Sequence, residues 1–164
     1  MKSDILYPGY KFNLTDLAAA IGIHQLAKQE EFLKVRQRYA RMYDEAFAGL
    51  PVQFQPRPED LDRNRHSLHL YVLKLERDRW RCHRDEGIEA LLNENIGAAL
   101  HYRAIHTHPF YKTKYGYKPD DYPEAYRTGE QILSLPLSPG MTEADVSEVI
   151  EAFRKVAKAY VKSN

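Results

Sequence analysis

The sequence contains little cysteine, little net charge and no long apolar run. Cys82 is the single cysteine among 164 residues, so no internal disulfide can form and a reducing, cytoplasmic setting is expected. Lysine and arginine number 24 against 23 acidic residues, which gives a formal charge of +1. Such a chain has no overall field to draw it onto nucleic acid or anionic lipid. The N-terminal MKSD precedes no stretch of signal-peptide or membrane-span length. These absences argue against nucleic-acid and membrane partners.

Length and segmentation both indicate one domain. The chain of 164 residues lies inside the usual range of about 100 to 200 residues for a domain that buries its own core. Internal repeats and low-complexity tracts are not evident. The proline-rich stretch at 51–66 is typical of a strand that leads into a loop. We therefore expect residues 1–164 to form a single domain, with a turn and a long helix in 1–50 and a small α+β unit in 51–164.

The strongest helical pattern runs from about Thr15 to Leu50. Apolar residues recur there at spacings of three and four, at Phe32, Val35, Tyr39, Met42 and Ala46. This pattern predicts one long amphipathic helix, or two in line. Its first part differs, because LAAAIG has little side-chain volume and includes Gly22, which costs about 1 kcal/mol relative to alanine inside a helix. Another surface is expected to pack closely there.

Three later segments are predicted to be strands. Residues 67–75, SLHLYVLKL, are apolar on both faces, which is typical of a central strand. The segments 96–103, IGAALHYR, and 132–137, ILSLPL, are predicted as a second and a third strand. Together they predict a small, mainly antiparallel sheet.

Short helices are predicted between and after these strands. Asp85 and Glu86 begin one helix, and Asn95 can end it in the left-handed conformation. Another short helix is predicted at 122–131. Thr142 can cap the last helix, whose apolar stripe consists of Val146, Val149, Ile150, Phe153, Val156 and Tyr160. Helices packed on a small sheet define an α+β fold.

Residues 100–111, LHYRAIHTHPFY, hold three histidines and three aromatic rings. As zinc ligands on a strand, His106 and His108 could point the same way but His101 would point the opposite way, and the spacing matches no zinc signature. The histidines could instead pack and hydrogen-bond around a loop. The third interpretation is a polar, aromatic surface that contacts a substrate. The residues of this tract alone leave the three interpretations open.

A second motif, YPGYKFNLTDLAAAIGIHQL at 7–26, favours the substrate surface. It resembles the block G-Y-K/N-Y-N/R-M/L-T-D of the DegT and StrS type family of pyridoxal-phosphate sugar aminotransferases. Three further blocks resemble that family in the same order, namely HSLHLYVLKL with RDEGIEALL, IGAALHYRAIHTHPFY, and ILSLPLSPGMTEADVSEVIEAF. The resemblance covers nearly the whole chain.

The resemblance implies the small C-terminal domain of a fold-type I enzyme. In that family, pyridoxal 5'-phosphate carries an amino group from glutamate to a keto-sugar nucleotide, and most of the chemistry belongs to the cofactor. GYKFNLTD and LHYRAIHT most resemble the branch that makes UDP-4-amino-4-deoxy-L-arabinose for lipid A modification. The implied substrate is therefore a UDP-4-keto-sugar.

The resemblance also implies that this polypeptide has no catalytic residue of its own. The family's Schiff-base lysine lies upstream of the GYKFN block, in a large domain that residues 1–164 lack, and Lys11 does not occupy its position. The chain alone should then not transaminate. It would complete a site with a large-domain partner, or act as a non-catalytic binding or dimerisation module that retains the fold.

In the family the active site lies at a dimer interface, and the GYKFN turn of one subunit reaches the cofactor of the other. Asn13 would donate its amide to the cofactor phosphate, and Lys11 would bring a charge near that phosphate or the substrate diphosphate. From the residues alone, Asn13 is equally a helix cap before Leu14 and Thr15, and Lys11 a solvated charge. The small residues at 18–22 would pack against the second subunit of a homodimer.

Under the same resemblance the histidine tract is a sugar-nucleotide loop. His101 would lie near the sugar with Tyr102 and Arg103 beside it, and His106 would face the substrate as well. Imidazole, phenol and guanidinium groups suit the hydroxyls of a pyranose and the charge of a diphosphate. Tyr111 and Phe110 are expected to pack and to shape the loop.

Overall fold

The computed structural model describes residues 13–57 and 65–162, and a three-stranded antiparallel sheet lies at its centre. The strands are β1 (Val52–Phe54), β2 (Tyr71–Leu75) and β3 (Ile132–Leu135). β2 lies between the other two and is antiparallel to both. The predictions of a central strand within 67–75, of a strand within 132–137 and of an antiparallel sheet are confirmed.

Six α-helices surround the sheet in the described part of the chain. They are α1 (Asp16–Ala27), α2 (Gln29–Phe47), α3 (Arg84–Asn93), α4 (Pro109–Tyr115), α5 (Pro123–Gln131) and α6 (Glu143–Tyr160). The long N-terminal helix is confirmed as two consecutive helices. Lys28 separates them, keeps a right-handed backbone and donates its N–H to the Gln25 carbonyl at 3.1 Å. None of the described helices has the length and apolar character that a bilayer span requires.

The core lies between one face of the sheet and helices α2 and α6. Because side chains alternate along a strand, Tyr71, Leu73 and Leu75 all point to this face, and all three are buried. Phe47 of α2 and Phe153 of α6 meet above them, with ring centroids 4.6 Å apart. The apolar stripe predicted for the last helix is therefore the face that packs on the sheet.

Helix α6 begins at the predicted cap. Thr142 Oγ1 accepts a hydrogen bond from the Asp145 N–H at 3.2 Å, and the Asp145 carboxylate accepts one from the Thr142 N–H at 2.7 Å. The hydrogen bonds that the Asp145 carboxylate accepts from the Thr142 N–H and from the Thr142 hydroxyl hold the pKa of Asp145 below its usual value. Asn95 follows α3 with φ of 63°, which confirms the predicted left-handed stop.

The strand predicted at 96–103 is wrong. Within this segment Ala99 alone pairs with the sheet, through hydrogen bonds of 2.8 and 3.1 Å with Ser134 of β3. The backbone turns at Asn95, and the Ala98 N–H bonds back to the Ile96 carbonyl at 2.8 Å, so the chain is not extended long enough for a ladder. The segment touches β3 at one point and carries the histidine tract over the sheet.

Helix α4 begins inside the tract that was expected to be a loop and extends beyond it to Tyr115. Pro109 occupies its first turn and Gly116 ends it at a positive φ of 71°. Proline at the start and glycine at the end are common helix signals, and they were present in the sequence. The helix is short, so no apolar periodicity accompanied them.

Helix α1 is apolar, yet it buries none of its residues. The side chains of Leu17 and Leu26 are 75% and 73% exposed, and Ile21 is exposed as well. No atom lies within 4 Å of the point where a side chain at Gly22 would begin. The close packing expected here does not occur within the described residues, so any surface that covers α1 lies outside them.

A cluster of hydrogen bonds fixes the end of β1 to α2. Asp44 accepts hydrogen bonds from Arg57 at 3.1 Å and from the Tyr71 hydroxyl at 2.8 Å. Nearby, the Tyr43 hydroxyl donates to the Pro136 carbonyl at 2.9 Å. Burial raises the pKa of both tyrosines, and the Asp44 carboxylate raises that of Tyr71 further. The folded chain therefore favours the neutral form of these phenols.

Candidate functional site

The second face of the sheet, opposite the core, carries both polar and apolar side chains of the strands. Strand alternation and the pairing register place on it Gln53, Val72, Lys74, Ile132 and Ser134. Helix α5 and the segment 99–101 lie over part of this face. They leave a groove of about 440 Å³, which we call the histidine groove. Its lining includes Gln53, Gln55, Val72, Lys74, His101 and Thr128.

His101 is held in the wall of the histidine groove. Its Nδ1 lies 3.0 Å from the Ser134 hydroxyl, which the bridge between Ala99 and Ser134 brings beneath it. The peptide bond between His101 and Tyr102 is cis. Because one ring nitrogen is engaged with Ser134, the other is left to meet a ligand in the groove. The structure thus puts this predicted sugar-contacting residue in a cavity.

Lys74 is the charged member of the lining among the described residues, and it forms no ion pair with any of them. Its side chain is half-buried on the central strand. An ammonium group in an otherwise uncharged lining suits an anionic ligand such as a phosphate. Lys74 therefore adds a positive charge to the groove that His101 also lines.

Tyr102 and Arg103 lie beside the histidine groove without lining it. Tyr102 is 73% exposed, and its ring meets the His101 ring edge-on with centroids 4.9 Å apart. Arg103 is exposed and donates from Nε to the Thr107 hydroxyl at 3.1 Å. Both side chains are accessible to a ligand that extends out of the groove.

His106 is in a different environment from His101. It is buried, and its Nε2 lies 3.2 Å from the Pro119 carbonyl, an acceptor, so Nε2 carries the proton. It does not line the histidine groove. It lines a second cavity, and sequence reasoning did not anticipate that these two histidines of one tract belong to separate cavities.

The second cavity has a volume of about 360 Å³ and is lined by Ile105, His106, Tyr111, Tyr117, Tyr122 and Ala125. We call it the aromatic cavity. Tyr111 and Phe110 were both expected to pack and to shape the tract. Tyr111 lies in the wall of this cavity, whereas the packing prediction is wrong for Phe110, which is exposed on α4. No charged residue is present in this lining, in contrast to the histidine groove.

Asn13 lies exposed just before α1, and its side chain is not the cap of that helix. Thr15 is the cap, because its hydroxyl accepts from the Ala18 N–H at 3.3 Å. The cap interpretation of Asn13 is therefore wrong. Within 13–57 and 65–162 its amide has no hydrogen-bond partner, and it lies next to a helix N-terminus, which favours anions. The other predicted phosphate-binding residue, Lys11, lies outside the described residues.

The three histidines of the tract do not converge. His101 contacts Ser134, His106 contacts Pro119, and His108 is exposed at the start of α4. Across 13–57 and 65–162, no group of three histidine, cysteine, aspartate or glutamate side chains is arranged to hold a metal ion.

Sequence reasoning missed four polar residues of the histidine groove, namely Gln53, Gln55, Lys74 and Thr128. A signal existed for Lys74, because it interrupts an otherwise apolar central strand on the face opposite Leu73 and Leu75. No local signal existed for the others, since β1 and α5 meet β2 only in the folded chain.

Solved aminotransferase structures share this fold. The putative sugar aminotransferase Spr1654 from Streptococcus pneumoniae, in its PLP-form, superposes with a TM-score of 0.84 at 29% sequence identity. The match covers 95% of this chain and 39% of that chain. The α+β unit described above is therefore the aminotransferase type of fold that the resemblance predicted.

Sequence comparison identifies the family. The sequence profile of the DegT/DnrJ/EryC1/StrS aminotransferase family matches residues 1–154, and the chain belongs to this family. The spore coat polysaccharide biosynthesis protein SpsC of Bacillus subtilis is 42% identical over 152 residues, which is 92% of this chain and 39% of SpsC. The protein MJ1066 of Methanocaldococcus jannaschii is 40% identical over 153 residues, 93% of this chain and 39% of that protein. The chain thus spans about two fifths of the length of these relatives.

Proposed function

We propose that this chain forms the small-domain side of the active site of a pyridoxal-phosphate enzyme that transfers an amino group from glutamate to a UDP-4-keto-sugar. The observation that carries the proposal is the histidine groove, whose lining contains both His101, held by the Ser134 hydroxyl, and the charge of Lys74. Family membership supports the amino transfer. The motifs GYKFNLTD and LHYRAIHT favour the branch that makes the aminoarabinose precursor for lipid A modification.

The lining of the histidine groove fits a sugar that carries a phosphate. The free ring nitrogen of His101 can hydrogen-bond a pyranose hydroxyl, and the Gln53 amide and Thr128 hydroxyl offer both donors and acceptors. The Lys74 ammonium can pair with a phosphate oxygen. A neutral or cationic ligand would leave that charge unmatched.

The described residues also fit the cofactor's phosphate. Asn13 lies next to the N-terminus of α1 with an amide that no other described residue engages, and both features favour a phosphate group. When bound, pyridoxal phosphate supplies the electron sink for amino transfer. The family's Schiff-base lysine has no counterpart in the motifs of residues 1–164, so we propose that amino transfer needs a large domain that carries it.

Reconstitution tests this proposal. We expect residues 1–164 alone to show no transamination, and a mixture with the lysine-bearing large domain of a family member to form a complex that binds pyridoxal phosphate. Absorbance of the bound cofactor and amino transfer from glutamate to UDP-4-keto-sugars are the measurements. Transamination by the chain alone would contradict the need for the lysine, and a mixture with neither complex nor cofactor absorbance would contradict the shared site.

Replacement of His101 by phenylalanine is expected to weaken the binding of UDP-sugars by about tenfold, the effect of one lost hydrogen bond of about 1.4 kcal/mol. The matched control is His108→Phe, which changes an exposed histidine of the same tract that lines neither cavity. Calorimetric titration of the parent and both variants with UDP-sugars, and with zinc in parallel, gives the comparison. Equal losses in the two variants would remove His101 from the site.

The exposed surface of α1 favours a second candidate, a dimerisation module that retains the fold without the chemistry. Leu17 and Leu26 lie uncovered on a helix that buries nothing, and exposed apolar patches of this kind mark protein interfaces. In this case the chain assembles as a homodimer and binds UDP-sugars weakly or not at all.

A charge placed on α1 tests whether this helix forms the interface of a dimer. We expect Leu17→Glu to weaken self-association by at least tenfold, because a carboxylate at an apolar interface is desolvated without a partner. Leu92→Glu is the control, since Leu92 is an exposed leucine of α3, on a different element. Sedimentation over a range of protein concentrations gives the association constants. If the two variants associate equally, α1 is not the interface.

A further inference from the structure

The aromatic cavity is assembled from four short consecutive elements. Ile105 and His106 come from the turn before α4, Tyr111 from α4, Tyr117 from the segment between α4 and α5, and Tyr122 and Ala125 from the start of α5. His106 Nε2 lies 3.2 Å from the Pro119 carbonyl, which joins the turn before α4 to the segment between α4 and α5. The cavity is therefore a feature of the local fold.

Its aromatic rings support one another. The His106 and Tyr122 rings have centroids 5.1 Å apart, and the Tyr117 and Tyr122 rings meet edge-on at 5.5 Å. Tyr115 stacks against Tyr117, with centroids 5.5 Å apart and an interplanar angle of 26°. Ring pairs at these separations attract one another, so the walls are oriented before any ligand arrives.

The chemistry of the lining selects a flat, uncharged, unsaturated ring. It contains one imidazole, three phenols and two aliphatic side chains, and it has no charge to meet a phosphate. Aromatic walls bind nucleobases by stacking, and every base offers a π-face to them. A pyranose or a phosphate would be better matched by the histidine groove, which has Lys74, Gln53 and Thr128.

The two cavities lie on one short piece of chain. His106 follows His101 by five positions in the chain, and five extended residues span at most about 18 Å. Arg103 and Tyr102 lie between them in the sequence and are exposed. A ligand with a sugar at one end, a charged linker and an aromatic base at the other can contact both cavities.

We propose that the aromatic cavity holds the nucleobase of the sugar nucleotide whose sugar contacts His101. This inference rests on the proposed function and extends it, because it assigns the nucleotide end of the substrate to Tyr111, Tyr117 and Tyr122. His106 then acts as a wall of the base site and does not contact the sugar.

Uridine monophosphate and ribose 5-phosphate test the inference, because they differ only by the base. We expect the parent chain to bind the nucleotide at least about tenfold more tightly, the usual effect of stacking one base. In Tyr117→Leu, and in Ala125→Leu, which fills the cavity while keeping every ring, we expect this preference to fall below about twofold. Phe110→Leu is the control, since Phe110 is an exposed ring of α4 outside the cavity lining, and it should keep the preference.

Two results would overturn the base site. The first is that the parent chain shows no preference for the nucleotide over ribose 5-phosphate. The second is that the preference survives Tyr117→Leu and Ala125→Leu but is lost in Tyr102→Leu. The second result would put the base on the exposed Tyr102. Circular dichroism establishes that each variant is folded.

The outcomes separate this inference from the proposed function. If His101→Phe weakens UDP-sugar binding while Tyr117→Leu leaves the base preference intact, the base site fails and the proposed function stands. If the base preference depends on Tyr117 but UDP-sugars bind no better than the free nucleotide, the base site stands and the proposed function fails.

Discussion

Replacement of Gly129 by valine is expected to lower the free energy of unfolding by about 3 kcal/mol, the upper end of the usual cost of overpacking. A Cβ at Gly129 would lie 2.9 Å from the backbone nitrogen of Ala104 and 3.4 Å from its Cβ. Because the nearest atom belongs to the Ala104 backbone, the clash can be relieved only if α5 or the histidine tract moves. The Gly129 carbonyl also accepts a hydrogen bond from the buried Arg84, which opposes movement of α5.

The same substitution should disturb both cavities. Ala104 lies between His101 and His106, so displacement of its backbone shifts the residues of the histidine groove and the aromatic cavity together. We expect Gly129→Val to weaken the binding of UDP-sugars and of uridine monophosphate by more than the roughly tenfold effect of one lost hydrogen bond. Urea unfolding and calorimetric titration measure the two effects.

Gly97→Val is the matched control, because a Cβ built at Gly97 has no described atom within 4 Å apart from those of the adjoining residues. A substitution at an open, exposed site should change the unfolding free energy by no more than about 0.5 kcal/mol. Equal stability of the two variants would contradict the close approach of α5 to Ala104.

Much of the fold could be predicted because its signals are local. Residues 132–135 and 71–75 are short apolar runs with turns beside them, and Thr142 with Asp145 is a local capping pair. The failure at 96–103 has a physical cause, since IGAALHYR is apolar enough for a strand but Asn95 turns the backbone before it. Apolar content predicts burial, and a ladder also needs an extended backbone.

The candidate site could be predicted only in part, for a related reason. The histidine tract identified His101, but its partner Ser134 is 33 residues away and reaches it only through the Ala99 bridge. Gly129 carries no local signal either, because its close contact is with a residue of another segment. Sequence patterns thus identified candidate chemistry, whereas the division of the tract between two cavities depends on tertiary contacts.

Stability at high pH provides a test of the core that does not depend on the function. Tyr43 is fully buried, and burial, with a smaller contribution from the Asp145 carboxylate, raises its pKa above the usual value near 10. The unfolded chain therefore releases this proton at a lower pH than the folded chain does. The resulting contribution to stability is complete below pH 10 and falls as the pH rises from there toward the folded pKa.

The Tyr43→Phe variant should accordingly change from less stable to more stable as the pH rises. At pH 7 we expect it to be less stable by about 1 kcal/mol, because the Pro136 carbonyl loses its hydrogen bond. Between pH 10 and pH 11.5 the free energy of unfolding of the parent should fall by about 2 kcal/mol, at about 1.4 kcal/mol per pH unit, because this phenol ionises in the unfolded chain. The variant has no phenol at this position and should not show this loss. The two stability curves from urea unfolding should therefore cross near pH 11. Parallel curves over this range would mean that the folded chain releases the Tyr43 proton as easily as the unfolded chain, and that water reaches the phenol between α2 and the sheet.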